Sequence, residues 1–229
     1  MALAVVVGVL ADTRPGHPAA AFHRRRFQAV AEALRQAGLP PHTEPDDVEP
    51  RSYEMYSASA LHYLRRVAAH LSAGRPLPPP GGRDAPVDPL LRAYHAADEA
   101  LARRLEAGER PRPARVGEFD QLIRHPDSDG VYLPIDLDEV LVPATPALQE
   151  AAGERIGSAP RLLQECQRLA AALALPSGLD PDSPALWRAA DHQGDGQGWQ
   201  RYGIEAFTCV RLLAAADHSL ASGAAVVFT

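Results

Sequence analysis

Lysine and asparagine are both absent from this 229-residue chain, so all 23 basic residues are arginine. Losing both types together, while alanine, arginine, proline and glycine rise, marks a GC-rich genome rather than selection for arginine chemistry. The run Arg24, Arg25 and Arg26 therefore reads as a solvated helix face and not as a phosphate site. Cysteine is scarce. Two residues, Cys166 and Cys209, lie far apart in apolar helical patterns, which excludes a disulfide framework or a zinc site and leaves reduced core thiols. Long apolar runs are missing as well. The opening "MALAVVVGVL" is too short to span a membrane and has no basic flank for a signal peptide. Positive charge is in deficit, with 23 basic against 29 acidic residues and a formal charge of −6. That balance argues against a chain that grips nucleic acid through its phosphates.

What remains suits a cytoplasmic protein with a sizeable core, since 46% of the residues are apolar. Residues 4 to 10 read as a buried strand. A helix follows, opened by Pro18, striped by Phe27, Val30, Ala31 and Leu34, and closed by Gly38 and Pro40. "PPHTEPDDVEP" is a Pro-rich acidic loop. Ser57 or Ser59 caps the next helix, striped by Leu61, Leu64, Ala68 and Leu71 and closed by Gly74. Asp88 and Pro89 open a helix to about Ala107 that lies between two Pro-rich breaks. The segment 75–115 therefore reads as a helical insertion docked on one domain spanning 1–229. Ser158 and Ser183 cap two further helices. The segment from Gly198 to Gly223 is apolar nearly all round, as a central buried helix should be. A strand, "AAVVFT", closes the chain. The expected class is α+β, mostly helical, with a small sheet of at least three strands packed on the long C-terminal helix.

The stretch "HPDSDGVYLPIDLDEV", residues 125–140, could be a metal loop or a turn entering a strand. With Gly130 at the sixth position of an EF-hand loop, His125 falls at the first and Asp136 at the twelfth. Histidine is no hard oxygen ligand, and Asp is shorter than the bidentate Glu that the last position needs. The structural reading explains more. Ser128, Asp129 and Gly130 form a turn. Val131, Leu133, Ile135 and Leu137 then alternate towards a core, leaving Tyr132, Pro134, Asp136 and Asp138 outside. Pro134 and the acids suggest an edge strand protected against further pairing.

Two other regions concentrate polar and aromatic side chains. "DHQGDGQGWQRYG" offers Asp191, His192, Asp195, Trp199, Arg201 and Tyr202, and "RSYEMYSASALHYLRR" offers Tyr53, Tyr56, His62 and Tyr63. Gly194, Gly196 and Gly198 do not make a phosphate cradle, because no strand precedes them, no Walker lysine exists and Asp195 would repel an anion. No nucleophile elbow, zincin helix or dinucleotide fingerprint is present. An acid–base pocket would have to draw on His62, Asp136, His192 and Asp195. A binding surface would draw on Tyr53, Tyr56, Tyr63, Tyr132, Asp138, Trp199 and Tyr202, because aromatic and charged anchors dominate interfaces.

Three pieces, "DSDGVYLPIDL", "IGSAPRLLQECQRLAAAL" and the closing helix with "SGAAVVFT", resemble a group of soluble bacterial proteins from high-GC genomes. The general layout is similar to that of toxin-immunity proteins. The resemblance covers about half the chain and carries no catalytic residues. It implies a non-enzymatic binding protein of immunity or regulatory kind, acting through an acidic and aromatic surface. The expected partner is a protein, basic in character, with no nucleic acid, no membrane, no cofactor and no metal. The alternative is an enzyme or small-molecule binder built on the His/Asp set. Since no ligand pair has zinc spacing, elemental analysis of purified protein is expected to find well under one equivalent of zinc or calcium.

Overall fold

The computed structural model describes residues 3–13, 17–81, 85–109, 114–127 and 129–229. Ser128 of the expected turn, and parts of both Pro-rich breaks (82–84 and 110–113), lie outside them. The elements run β1 (Ala4–Val7), α1 (Val9–Asp12), α2 (Pro18–Ala37), β2 (Arg51–Glu54), α3 (Ala60–Ser72), a 3₁₀ turn (Ala85–Val87) and α4 (Pro89–Glu106). They continue with α5 (Asp120–Ile123), β3 (Val131–Leu133), α6 (Pro146–Ala152), β4 (Ile156–Ser158), α7 (Ala159–Ala172) and α8 (Pro184–Asp191). A second 3₁₀ turn (Gly198–Tyr202), α9 (Gly203–Ser222) and β5 (Val226–Phe228) complete the chain. The class is α+β, mostly helical, with a five-stranded sheet and a long C-terminal helix.

Local chemistry sets most helix ends. Pro18 stands at the start of α2, and Gly38 ends it in the left-handed region at φ 69°. Asp88 accepts from Leu90 and Leu91 at the start of α4. Ser158 and Ser183 cap α7 and α8 through the amides of Arg161 and Ala185. Ser59 precedes α3 without a side-chain cap bond.

The strand order is β2-β1-β5-β3-β4, antiparallel except for the β3–β4 pair. Its two faces are covered separately. On one side Val5, Val7, Tyr53, Met55, Tyr132, Val226 and Phe228 meet α3, α7 and α9. On the other, Val6, Val131, Leu133, Ile156 and Val227 meet Phe27, Val30 and Leu34 of α2 and Ala152 of α6. Leu91 and Tyr94 of α4 join the first cluster. A third cluster sits where α8 crosses the start of α9. At that crossing a Cβ on Gly203 would lie 1.9 Å from the Ala189 carbonyl oxygen, so only glycine permits the approach.

Four expectations are corrected. β3 is an interior strand, between β5 and β4, and not an edge. With both faces covered, Val131, Tyr132 and Leu133 are all buried, so period-two alternation fails there. Regular strand ends at Leu133, and the acids at 136 and 138 belong to the irregular segment beyond it. Arg26 is not a solvated residue like Arg24 and Arg25. It is buried, and its guanidinium donates to the carbonyls of Gly130 and Ala152 and to Asp129.

Leu133 is fully buried, and Leu133→Ala is expected to cost about 2–5 kcal/mol in a urea melt. Asp138 is 90% exposed, and Asp138→Ala is expected to cost less than about 0.5 kcal/mol.

Candidate acidic interface

The loop after α5 is built on buried ions. Arg65 of α3 reaches under it, donating to the carbonyls of Leu122 and His125 and to Asp127. His62, one turn earlier on α3, lies 3.0 Å from the same carboxylate. Burial works against the ionised Asp127, but His62 and Arg65 together hold it well below the usual carboxylate range. His125 stacks on Tyr132 with ring centroids 4.0 Å apart. Complete burial lowers its imidazole to about 3. Beside it the Glu165 carboxyl accepts from the amides of Gln121 and Leu122. Burial raises it to about 8, against the pull of those two amides.

These contacts decide the fate of the sequence candidates. His62 is committed to Asp127, and Asp136 to Arg161 of α7. His192 ends α8, and Asp195 is exposed in the loop after it. Neither side chain makes a hydrogen bond among the described residues, so no contact links the four into an acid–base set. Asp138 shares Arg161 with Asp136, at 2.7 Å. Tyr132 is corrected outright: it is buried, and its hydroxyl donates to the Gln121 carbonyl at 2.7 Å. Tyr53 is also buried, with its hydroxyl on the Ala214 carbonyl. Tyr63 and Trp199 pack partly buried on the third cluster, and Tyr202 donates to the Pro78 carbonyl. Tyr56 packs against Trp187 and Phe207 and donates to Asp191. In the loop before α9, Gln193 Oε1 accepts the Ile204 amide at 2.6 Å, capping the head of that helix. No group of three or more His, Cys, Asp or Glu side chains among the described residues could hold a metal ion.

A second concavity lies elsewhere. A groove of about 770 Å³ runs between β2, the last turns of α9 and the turn at 180–182. Glu49, Asp180, Asp182 and Asp217 line it, against Arg51 and His218. Asp182 is met from below by Arg211, 3.0 Å away and buried against the Phe207 and Trp187 rings. Glu49 and Arg51 stand 3.8 Å apart, and His218 lies against the Glu49 carbonyl. Asp180 and Asp217 have no cation partner among the described residues, and partial burial raises the Asp217 carboxyl. Asp46, Asp47 and Glu54 are exposed along the same stretch of chain. The signal was present in "EPDDVEP" and "GLDPDSP", but only the fold brings those loops to the C-terminal end of α9.

Residues 1–228 match the family described as "Putative DNA-mimic protein". The chain belongs to that family. No curated protein and no solved structure matches it. Membership overturns the toxin-immunity reading, which rested on layout alone and not on any diagnostic residue. It also corrects the expected partner, which left DNA out of account. Among the described residues no helix is long and apolar enough to cross a membrane.

The buried ring yields a pH dependence. The folded value of His125 lies below its ordinary 6.5, so the unfolded chain takes up the proton first. Its contribution to stability is complete above that ordinary value and is lost as the pH falls from 6.5 towards 3. Imidazole NMR shifts of His125 are expected to stay those of the neutral ring through pH 5.

Proposed function

We propose that the protein occupies the DNA-binding surface of a DNA-binding protein, with the carboxylates of Glu49, Asp180, Asp182 and Asp217 standing in for phosphates. The observation that carries this reading is family membership together with an open acidic groove. The electrostatics run the same way. Proteins that neutralise DNA phosphates with Arg and Lys draw much of their affinity from that term, and it carries no sequence information. An acidic face can compete for it without reproducing base edges. Complementary fields also speed encounter, and salt weakens them. The net charge of −6 is modest, so local arrangement must supply what total charge does not. Elsewhere on the surface many acids face arginine, as Glu32 does Arg35 and Asp136 does Arg161. At the groove two do not.

The test is elution. Extract from the cells that make this protein is bound to immobilised double-stranded DNA at low salt. Wild-type protein is expected to release a discrete set of DNA-bound proteins. A variant carrying Glu49→Gln, Asp180→Asn and Asp217→Asn is expected to need about tenfold more protein for the same release. These side chains are exposed, so the variant should melt as wild type does. Equal release by both proteins, or none by either, overturns the reading.

A further inference from the structure

β2 is a terminal strand, and the ladder shows which of its backbone groups face away from the sheet. Met55 N–H donates to the Leu3 carbonyl at 2.8 Å, which makes 55 and 3 a hydrogen-bonded pair. The register Val5↔Tyr53 and Val7↔Arg51 places those residues in the same phase. In an antiparallel ladder the residues between are unbonded across that pair and point the opposite way. Ala4 obeys this, exchanging both bonds with Thr229 on the β5 side. Ser52 and Glu54 therefore turn their N–H and C=O groups outward. No backbone partner for them exists among the described residues. Arg51, Ser52 and Tyr53 of this strand, with Glu49 and Pro50 before it, also line the acidic groove.

We propose that the outer edge of β2 receives an extended, arginine- or lysine-bearing segment of the DNA-binding partner as an added strand, a proposal that rests on the preceding functional reading. Backbone groups of Ser52 and Glu54 hold the segment by strand addition. Glu49, Asp180 and Asp217, which line the groove on the α9 side of the strand, receive its cationic side chains. Two features favour this occupant over a second copy of the chain. The rim is acidic, so two such edges repel each other, whereas a basic segment is drawn in. The edge is also short, four residues from Arg51 to Glu54. A segment of that length spans roughly 14 Å, which suits a flexible basic arm better than a folded domain.

The experiment uses the intact protein and a labelled peptide of about eight residues, alternating Arg and Val, read by fluorescence anisotropy at low salt. Successive residues of a strand present N–H groups to opposite edges, so two further peptides are N-methylated either at every Arg or at every Val. One methylated peptide is expected to bind about tenfold more weakly than the parent and the other nearly as tightly. Asp180→Asn with Asp217→Asn is expected to weaken the parent peptide about fivefold. Equal binding by both methylated forms, whether retained or lost, overturns strand addition. So does a wild-type dimer in sedimentation velocity that the peptide dissociates, since a second copy then owns the edge. If the methylation pattern is absent while wild-type protein still strips proteins from DNA, the edge proposal fails and DNA mimicry stands. If the pattern appears but nothing is stripped from DNA, the failure lies with mimicry.

Discussion

A helix apolar on almost every side has to lie inside, and that constraint organises this molecule. α9 is buried from Gly203 through Leu212 and packs on α3, α7, α8 and the sheet. Its polar side chains then need partners within the protein. Glu205 receives the Gly81 amide and Gln193 Nε2. Thr208 returns its hydroxyl to the Ile204 carbonyl. Arg211 lies on two aromatic rings and leaves through Asp182. Only near its end does α9 surface, and Asp217 and His218 emerge there beside β2. The candidate interface is thus placed by the burial of the helix beneath it.

The opposite end of the sheet is governed by buried ions. Arg26, Arg65 and Arg124 are each nearly inaccessible, and each ends on a carboxylate: Asp129, Asp127, and Asp98 with Asp120. All three also donate to backbone carbonyls of loops that no helix or strand would satisfy. Arginine suits this work because its planar fork serves several acceptors at once and stays charged when buried. A chain without lysine can build such clasps freely.

Much of the fold was legible because its signals are local. A cap, a proline at a first turn or a glycine in the left-handed region acts within a few residues. Asp88, Ser158, Pro18, Gly38 and Gly223 consequently mark their boundaries correctly. One failure is local, since residues 4–10 read as one strand but β1 ends at Val7, where Gly8 turns left-handed into α1; the others are non-local. β2 was hidden because only one of its four residues is buried. Tyr132 alternates as an outward residue should, yet the sheet has a helical layer on each face and the ring lies inside. Arg26 follows two exposed arginines, and nothing nearby announces that Gly130 and Asp129 will face it. The acidic face draws on three segments far apart in sequence, so no window along the chain displays its charge together.

The Arg211–Asp182 pair has a bearing on rigidity. Phosphates on a duplex are set by a stiff backbone, whereas carboxylates on exposed side chains sample several rotamers and lose that freedom on binding. Asp182 is 81% exposed at its side chain yet tied to a guanidinium that is itself packed on two rings. The tie cancels part of the local field. In exchange the carboxylate keeps one position before any partner arrives, so little conformational entropy remains to be lost there. Asp180 is held as well, its carboxylate accepting the Asp182 amide at 2.8 Å, whereas Asp217 has no hydrogen bond or ion pair among the described residues, so the face combines two fixed points with one adjustable one.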